Sequence, residues 1–193
     1  MNDEVLFAQV IAGSQAALEE LVERYYGQLR AYFWHLFNGN LQDAEDLVQE
    51  TFLRILRYKG RIPYSFRLWI YTVAHNLAYD HFRSARYKRE LTSGKTDAAE
   101  DEADHLFLQR ADVAVHVLED NVLERISAGA IYENLCRLPM KQREVIIMRF
   151  YGEMKLEEIA EIIGCPMGTV KSRLYKGLRK FKRILEEVEH GKE

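Results

Sequence analysis

The stretch from residue 155 to residue 183 constrains the fold more than any other, because it combines a short helix, a tight turn and a basic helix. It reads KLEEIAEIIGCPMGTVKSRLYKGLRKFKR. Gly164 can adopt the positive φ that ends a helix, and Pro166 disfavours helical geometry at the residue before it. Apolar residues on one face of the first helix are Leu156, Ile159, Ala160 and Ile163. The second helix is predicted to open at Gly168 and Thr169, and its apolar positions are Val170, Leu174, Leu178, Phe181 and Leu185.

The second helix of this segment carries basic residues on its other faces. No acidic residue occurs between Gly168 and Arg183. A short helix followed by a turn and a basic amphipathic helix matches the geometry that places one helix in the major groove of DNA. The alternative is a solvated basic helix within a helical bundle. The glycine and proline at the turn and the absence of acidic residues from the second helix both agree with DNA binding, so we favour that interpretation.

The composition is that of a folded protein rather than a disordered one. Of the 193 residues, 48% are hydrophobic and 30% are charged, which suits one or two domains with real cores. Helical spacing dominates the chain, and we predict an all-α fold. The sequence has no apolar run of about 18 residues and no basic region of a signal peptide, so we expect a cytoplasmic protein. Cys136 and Cys165 lack the spacing of a zinc site, and we expect neither a metal nor a cofactor.

Three regions of the chain differ in composition. Residues 1–90 are rich in aromatic residues at helical spacing and suit a compact helical domain. Residues 91–124 hold nine acidic residues against two basic ones, and we interpret their start as a flexible acidic linker. Apolar clusters at 106–108 and 113–118 indicate that part of this stretch folds or docks. Residues 125–193 return to helical spacing and suit a second small helical domain.

A second basic cluster lies in the first of these regions and is interleaved with aromatic residues. Between Arg54 and Tyr79 every charged residue is basic. Basic side chains follow a phosphate backbone, and aromatic rings stack on unpaired bases at about 1–3 kcal/mol each. Tyr64 and Phe66 lie in or beside a predicted loop, so they are candidates for exposed stacking, whereas Trp69 is expected in the core. This mixture is typical of a protein that binds single-stranded nucleic acid.

Upstream of this cluster, a predicted helix has an acidic face. Asp43, Asp46 and Glu50 share that face at i, i+3 and i+7 spacing. The spacing alone fits an ordinary solvated face as well as it fits a docking surface, and both interpretations stay open on this ground.

Three blocks of sequence, in order, resemble the extracytoplasmic-function sigma factors, which are short two-domain members of the bacterial RNA polymerase sigma family. The blocks are DAEDLVQETFLRIL, FRLWIYTVAHNLAYDHFR and LPMKQREVIIMRFYGEMKLEEIAEIIGCPMGTVKSRLYKGLRKF. They cover most of residues 15–185. The resemblance implies sigma domain 2 at 1–90, an acidic linker at 91–124 and sigma domain 4 at 125–193. It further implies a non-enzymatic protein that directs promoter-specific initiation by core RNA polymerase.

The resemblance implies a role for each part of the first domain. The family's surface for the clamp helices of the largest polymerase subunit corresponds to a helix that carries Asp43, Asp46, Gln49 and Glu50. The loop from Lys59 to Ser65 resembles the site that holds a base flipped out of the non-template strand of the −10 element. The residues assigned in this way to the −10 strand are Lys59, Arg61, Tyr64, Phe66, Asn76 and Arg83. Asp80 shares a helical face with Asn76 and Arg83, and we expect it to orient a nearby arginine.

In the second domain, the resemblance places the basic helix in the major groove at the −35 element. The residues expected to reach base edges are Lys171, Ser172, Tyr175 and Lys176. Arg173 and Arg179 are expected to contact phosphates, and Thr169 is expected to cap the start of the helix. Gly177 stands where many members have alanine, and glycine is about 1 kcal/mol less favourable than alanine within a helix.

The implied partners are macromolecules. They are core RNA polymerase, bound through the clamp helices of its largest subunit and the flap of its second, and promoter DNA. An anti-sigma factor is a further candidate partner, and no small-molecule substrate is expected. A flexible linker of 34 residues has a root-mean-square span of roughly 30 Å, which can join domains bound at two promoter elements.

Two other classes of protein fit parts of the sequence. A stand-alone helix-turn-helix regulator would use the basic helix but would leave the loop aromatics and the acidic face unexplained. An enzyme would have to use His75 and His81 with Asp80. A spacing of six residues places the two histidines on different helical faces, and no catalytic motif accompanies them. We therefore favour the sigma factor over both.

Overall fold

The computed structural model of the protein describes residues 2–93 and 134–190. Within these ranges it is built from helices without a strand: α1 Asp3–Ile11, α2 Gln15–Leu36, α3 Leu41–Arg57, α4 Phe66–Ser93, α5 Met140–Phe150, α6 Leu156–Ile163 and α7 Met167–His190. The predicted all-α fold is confirmed for these residues. The helices fall into two compact units, one built mainly on α1–α4 and the other on α5–α7.

The predicted acidic linker and its apolar clusters at 106–108 and 113–118 lie outside the described residues, apart from the first residues of the linker. Those residues still belong to α4, because that helix runs on to Ser93.

In the first unit, three helices pack on α4. α1 and α3 contact it directly. The ring centroids of Tyr25 in α2 and Phe66 in α4 are 5.4 Å apart, and those of Tyr32 and Tyr71 are 5.8 Å apart. The buried residues of α2 recur at helical spacing and include Ala17, Leu21, Tyr25, Leu29, Tyr32 and Phe33. Burying each of the larger side chains stabilises the fold by about 1.5–3 kcal/mol.

Polar residues define where the helices of this unit begin. Asn2 Oδ1 accepts from the backbone N–H of Glu4 at 2.8 Å, and Asn40 Oδ1 accepts from that of Asp43 at 3.2 Å. Each bond satisfies one of the N–H groups that a helix start leaves without a partner. Gly39 has a φ of 76°, a conformation that favours glycine, and it lies in the turn between α2 and α3.

In the second unit, α5, α6 and α7 pack on one another. The buried faces differ from the predicted stripes. In α6 the buried residues are Ile159 and Ile162, while Leu156, Ala160 and Ile163 are half-buried. In α7 the stripe ends at Ile184, and Leu185 is half-buried. α6 packs against two helices at once, which rotates its buried face relative to the face that periodicity alone selects.

Gly177 is buried where α7 passes α5. A Cβ at this position would lie 2.9 Å from Ile146 Cδ1 and 3.2 Å from Gln142 Cβ. Both distances are shorter than ordinary van der Waals contact, so the glycine allows the two helices to approach closely. Gly177 is therefore needed for the packing of α7 on α5, which its low helix propensity does not reveal.

Candidate functional site

The predicted docking residues lie on the side of α3 that faces away from the core, where they are exposed or half-buried: Asp43, Asp46, Gln49 and Glu50. The opposite side of the helix is buried and comprises Ala44, Leu47, Val48, Thr51, Phe52 and Ile55. Asn40 Nδ2 donates to Asp43 Oδ2 at 2.7 Å, and Gln42 Nε2 donates to Asp46 Oδ1 at 3.1 Å. These bonds hold two of the carboxylates in place on the surface.

Two leucines extend this face and were not among the predicted docking residues. Leu53 and Leu56 are 42% and 50% exposed, although both are large apolar side chains. They follow Gln49 by four and seven residues, so helical geometry places the three side chains on one face. Their position off the buried stripe was the signal in the sequence. An exposed apolar strip bordered by carboxylates is typical of a surface that a protein partner covers.

The loop between α3 and α4 is folded over the ring of Tyr58. The Tyr58 hydroxyl donates to the carbonyl oxygen of Arg61 at 2.9 Å. A Cβ at Gly60 would lie 2.5 Å from Tyr58 Cζ, so a side chain there would displace the ring. Lys59 and Arg61 are exposed. Tyr64 is 77% exposed, which confirms that its ring is accessible for stacking.

Phe66 belongs to the core, and the prediction that its ring is exposed for stacking is wrong. It is the first residue of α4 and is fully buried. Its ring centroid lies 5.0 Å from that of Phe7 and 5.4 Å from that of Tyr25. The covering ring of Phe7 comes from α1, far away in the sequence, so local pattern could not reveal it. Trp69, which was expected in the core, is half-buried against Tyr58 with ring centroids 4.7 Å apart.

Asn76, Asp80 and Arg83 share an exposed face of α4, as their spacing predicts. Asp80 Oδ2 lies 4.0 Å from Arg54 Nη2 on α3, so the expected arginine near this carboxylate is present. Both side chains are well exposed, and such a pair contributes about 0–1 kcal/mol. His75 is buried, as expected of a packing residue.

The turn between α6 and α7 has the geometry predicted for a helix-turn-helix. Gly164 adopts φ 70° and ψ 36°, and its N–H donates to the Ala160 carbonyl oxygen at 3.0 Å. The carbonyl oxygen of Pro166 accepts from the N–H of Thr169 at 2.9 Å. α7 begins at Met167, so Thr169 lies within the first turn. The prediction that Thr169 caps the start of the helix is wrong, because the residue immediately before α7 is Pro166.

α7 turns one face to the core, and the side chains on the opposite face are half-buried or exposed. The buried face comprises Val170, Leu174, Gly177, Leu178, Phe181 and Ile184. Helical geometry groups most of the predicted DNA-contacting residues on the other face: Lys171, Ser172, Tyr175, Lys176 and Arg179. The Arg179 guanidinium carbon lies 5.7 Å from the centroid of the Tyr175 ring, a cation–π distance. Arg173 lies apart from this group, with Nη1 3.9 Å from Cys165 Sγ.

Further basic residues extend this face along α7. An open groove between α5 and α7 is lined by Gln142, Lys176, Arg179, Lys180 and Arg183. Lys180 and Arg183 were not among the predicted DNA-contacting residues, although the basic run in the sequence contained them. Four cations along one groove create a local positive potential that attracts an anionic backbone.

The thiols of Cys136 and Cys165 are free and half-buried. Burial raises the pKa of the Cys165 thiol, although Arg173 opposes the shift. In the ranges 2–93 and 134–190, no group of three or more histidine, cysteine or carboxylate side chains could hold a metal ion. The helices of those ranges include none long and apolar enough to cross a membrane.

Two family models match the chain, in the order of the two units. Sigma-70 region 2 matches residues 21–87, and Sigma-70, region 4 matches residues 128–181. The ECF RNA polymerase sigma factor SigW of Bacillus subtilis is 31% identical to this chain over 93% of the chain and 95% of its own length. The ECF RNA polymerase sigma factor BldN of Streptomyces coelicolor is 33% identical over 91% of the chain, which spans 63% of that relative.

Solved structures share the fold. The sigma factor RpoE of Bartonella quintana, in complex with the anti-sigma factor NepR, matches 87% of this chain and 96% of its own with a TM-score of 0.64 and 20% identity. CnrH, in complex with the cytosolic domain of CnrY, matches 95% of this chain and 97% of its own, with a TM-score of 0.61 and 22% identity. At these identities the likeness concerns the fold alone. From the sequence matches, the chain belongs to the extracytoplasmic-function (ECF) RNA polymerase sigma factors and is a promoter-recognising sigma factor rather than a stand-alone regulator.

Proposed function

We propose that this protein binds core RNA polymerase and directs it to promoters that it reads at two places. Residues 1–90, with α4 extending a little further, act as sigma domain 2, and residues 125–193 act as sigma domain 4. The observation that carries the proposal is the presence of two separate basic surfaces. One is built on a helix-turn-helix and suits duplex DNA, whereas the other surrounds an exposed tyrosine and suits a single strand.

The face of α7 opposite its buried stripe contacts the −35 duplex. The residues that reach base edges are Lys171, Ser172, Tyr175 and Lys176. Lysine can approach the O6 and N7 acceptors of guanine in the major groove. Arg179 is joined by Lys180 and Arg183 in contacting phosphates, because the three line one groove. Arg173 and Thr169 contact the phosphates beside the turn, where the start of α7 presents N–H groups.

The loop from Lys59 to Ser65 and the exposed face of α4 contact the melted −10 strand. Tyr64 stacks on the extruded base, which offsets part of the few kcal/mol needed to extrude it. Lys59, Arg61 and Arg83 neutralise phosphates of the strand, and Asn76 reads a base edge through its amide. Phe66 has no direct contact in this proposal, because its ring is buried against those of Phe7 and Tyr25.

The exposed face of α3 docks on the clamp helices of the largest polymerase subunit. Leu53 and Leu56 supply apolar contact area, and the carboxylates around them set the orientation by charge. Sigma domain 4 docks on the flap of the second subunit. An anti-sigma factor is the third partner, and the RpoE–NepR complex, formed by a protein of the same fold, supports it. The protein has no catalytic role of its own and works in the cytoplasm, where core polymerase transcribes the genome.

Run-off transcription tests this function directly. Purified protein is added to core polymerase on candidate promoters, including the one upstream of its own gene. We expect transcripts that require both the protein and core polymerase. The proposal would be contradicted if no promoter gave a transcript while the protein alone bound a specific duplex.

A further inference from the structure

We propose that α1 supports the −10 loop and that Glu4 is a positioning residue for recognition of the −10 element. The inference rests on the proposed function of the loop from Lys59 to Ser65. The match to Sigma-70 region 2 begins at residue 21, so α1 lies outside the matched range.

Glu4 ties α1 to the point where the loop ends and α4 begins. Its Oε1 accepts from the backbone N–H of Phe66 at 2.9 Å. Ser65 Oγ accepts from the N–H of Leu68 at 3.3 Å. Two of the N–H groups at the start of α4 are therefore satisfied, one by the loop and one by α1.

Phe7, one turn after Glu4, contacts residues on both sides of the loop. Its ring centroid lies 5.8 Å from that of Tyr58, which precedes the loop. It lies 5.0 Å from those of Phe66 and Trp69, which follow the loop. Tyr58 in turn donates a hydrogen bond to a carbonyl oxygen within the loop. α1 therefore holds both ends of the segment that is proposed to capture the base.

α1 is itself anchored, so it can act as a fixed support. Asp3 Oδ1 lies 2.5 Å from Arg24 Nη1, and Asp3 Oδ2 accepts from the Tyr25 hydroxyl at 2.5 Å. Both partners belong to α2, which packs on α4. A loop held in its bound shape loses less conformational freedom when a base enters, and it discriminates better between bases.

Three substitutions of Glu4 separate positioning from charge and from general stability. Glu4→Ala removes the acceptor for the Phe66 N–H. Glu4→Gln keeps an oxygen acceptor at the same distance along the side chain but removes the charge. Glu4→Asp keeps the charge but is one methylene shorter. Glu23→Ala removes one negative charge from an exposed position on α2 and serves as the matched control.

The readout is base discrimination by the full-length protein in holoenzyme. Run-off transcription is measured on a promoter that the wild-type holoenzyme uses, and on versions with one −10 or one −35 base changed. We expect Glu4→Ala and Glu4→Asp to lower discrimination at the captured −10 base about tenfold, with −35 discrimination and core binding unchanged. Glu4→Gln and Glu23→Ala should keep the wild-type ratios. Circular dichroism confirms that each variant is folded.

A purely structural role for Glu4 would lower transcription from all promoters in parallel and leave the ratios unchanged, and this result would overturn the inference. Equal losses in Glu4→Gln and Glu4→Ala would also overturn it, because the acceptor would not be the relevant group. If the wild-type protein is active and the Glu4 variants keep its discrimination ratios, only the inference about Glu4 is refuted, and the proposed function stands. A wild-type protein that directs no transcription refutes the proposed function and the inference with it.

Discussion

Replacing Leu53 and Leu56 together by alanine should weaken binding to core polymerase while leaving the protein folded. The two side chains are 42% and 50% exposed, so about half of each remains available for burial by a partner. Full burial of a leucine side chain contributes about 1.5–3 kcal/mol, and the available halves together contribute about 1–3 kcal/mol. The dissociation constant should therefore rise about 5- to 150-fold.

The assay is a fluorescence titration of labelled protein with core polymerase, with thermal unfolding measured in parallel. Leu41→Ala is the matched control, because Leu41 is 47% exposed and begins the same helix. It lies roughly 20 Å along α3 from the two leucines and should leave the dissociation constant unchanged. Wild-type affinity in the double variant would refute the docking face, and so would an equal loss in Leu41→Ala.

Three further predictions follow from the two units. Lys171→Ala should reduce discrimination among −35 bases by about 1–3 kcal/mol in run-off assays, without changing core binding. Arg183→Ala should weaken binding to all promoters equally and lower the salt dependence of that binding in filter-binding assays. Gly27→Ala should raise the free energy of unfolding of its unit by about 1 kcal/mol in urea titrations, since nothing lies within 4 Å of the added Cβ. Gly177→Ala should give no such gain, because its Cβ would meet α5. A full gain at Gly177 would contradict the close packing of the two helices. Burial, with the hydrogen bond to Asp3, raises the pKa of Tyr25 above its usual 10.0. The folding stability that is present below about pH 10 should therefore fall as the pH rises further, and Tyr25→Phe should reduce the slope of stability against pH. An identical slope in both proteins would argue against this assignment.

Local pattern predicted the parts of the fold that depend on residues close in sequence. The turn at Gly164 and the basic face of α7 follow from the positions of glycine, proline and lysine, and the structure reproduces them. The exposed faces of α3 and α4 likewise follow from helical spacing. These features need only the geometry of one helix or one turn, so a single sequence contains enough information.

Contacts between distant segments could not be predicted in this way. Phe66 resembles a loop-edge aromatic in the sequence, but Phe7 from α1 covers it. Gly177 resembles a helix-weakening substitution, but Ile146 approaches it from α5. In both cases a residue on another helix decides the environment, and periodicity within one helix carries no information about that partner. The same reason explains why the supporting role of α1 emerges only from the structure.

The central claim, that one chain reads two promoter elements with two separate surfaces, is tested most directly by transcription from a promoter library. Both elements are randomised, holoenzyme transcribes the pool, and the transcribed templates are sequenced for the wild-type protein, Lys171→Ala and Tyr64→Ala. We predict two preferred blocks at a constant spacing, with Lys171→Ala losing preference only in the upstream block and Tyr64→Ala only in the downstream block. A single preferred block, or variants that each weaken both blocks equally, would contradict the account.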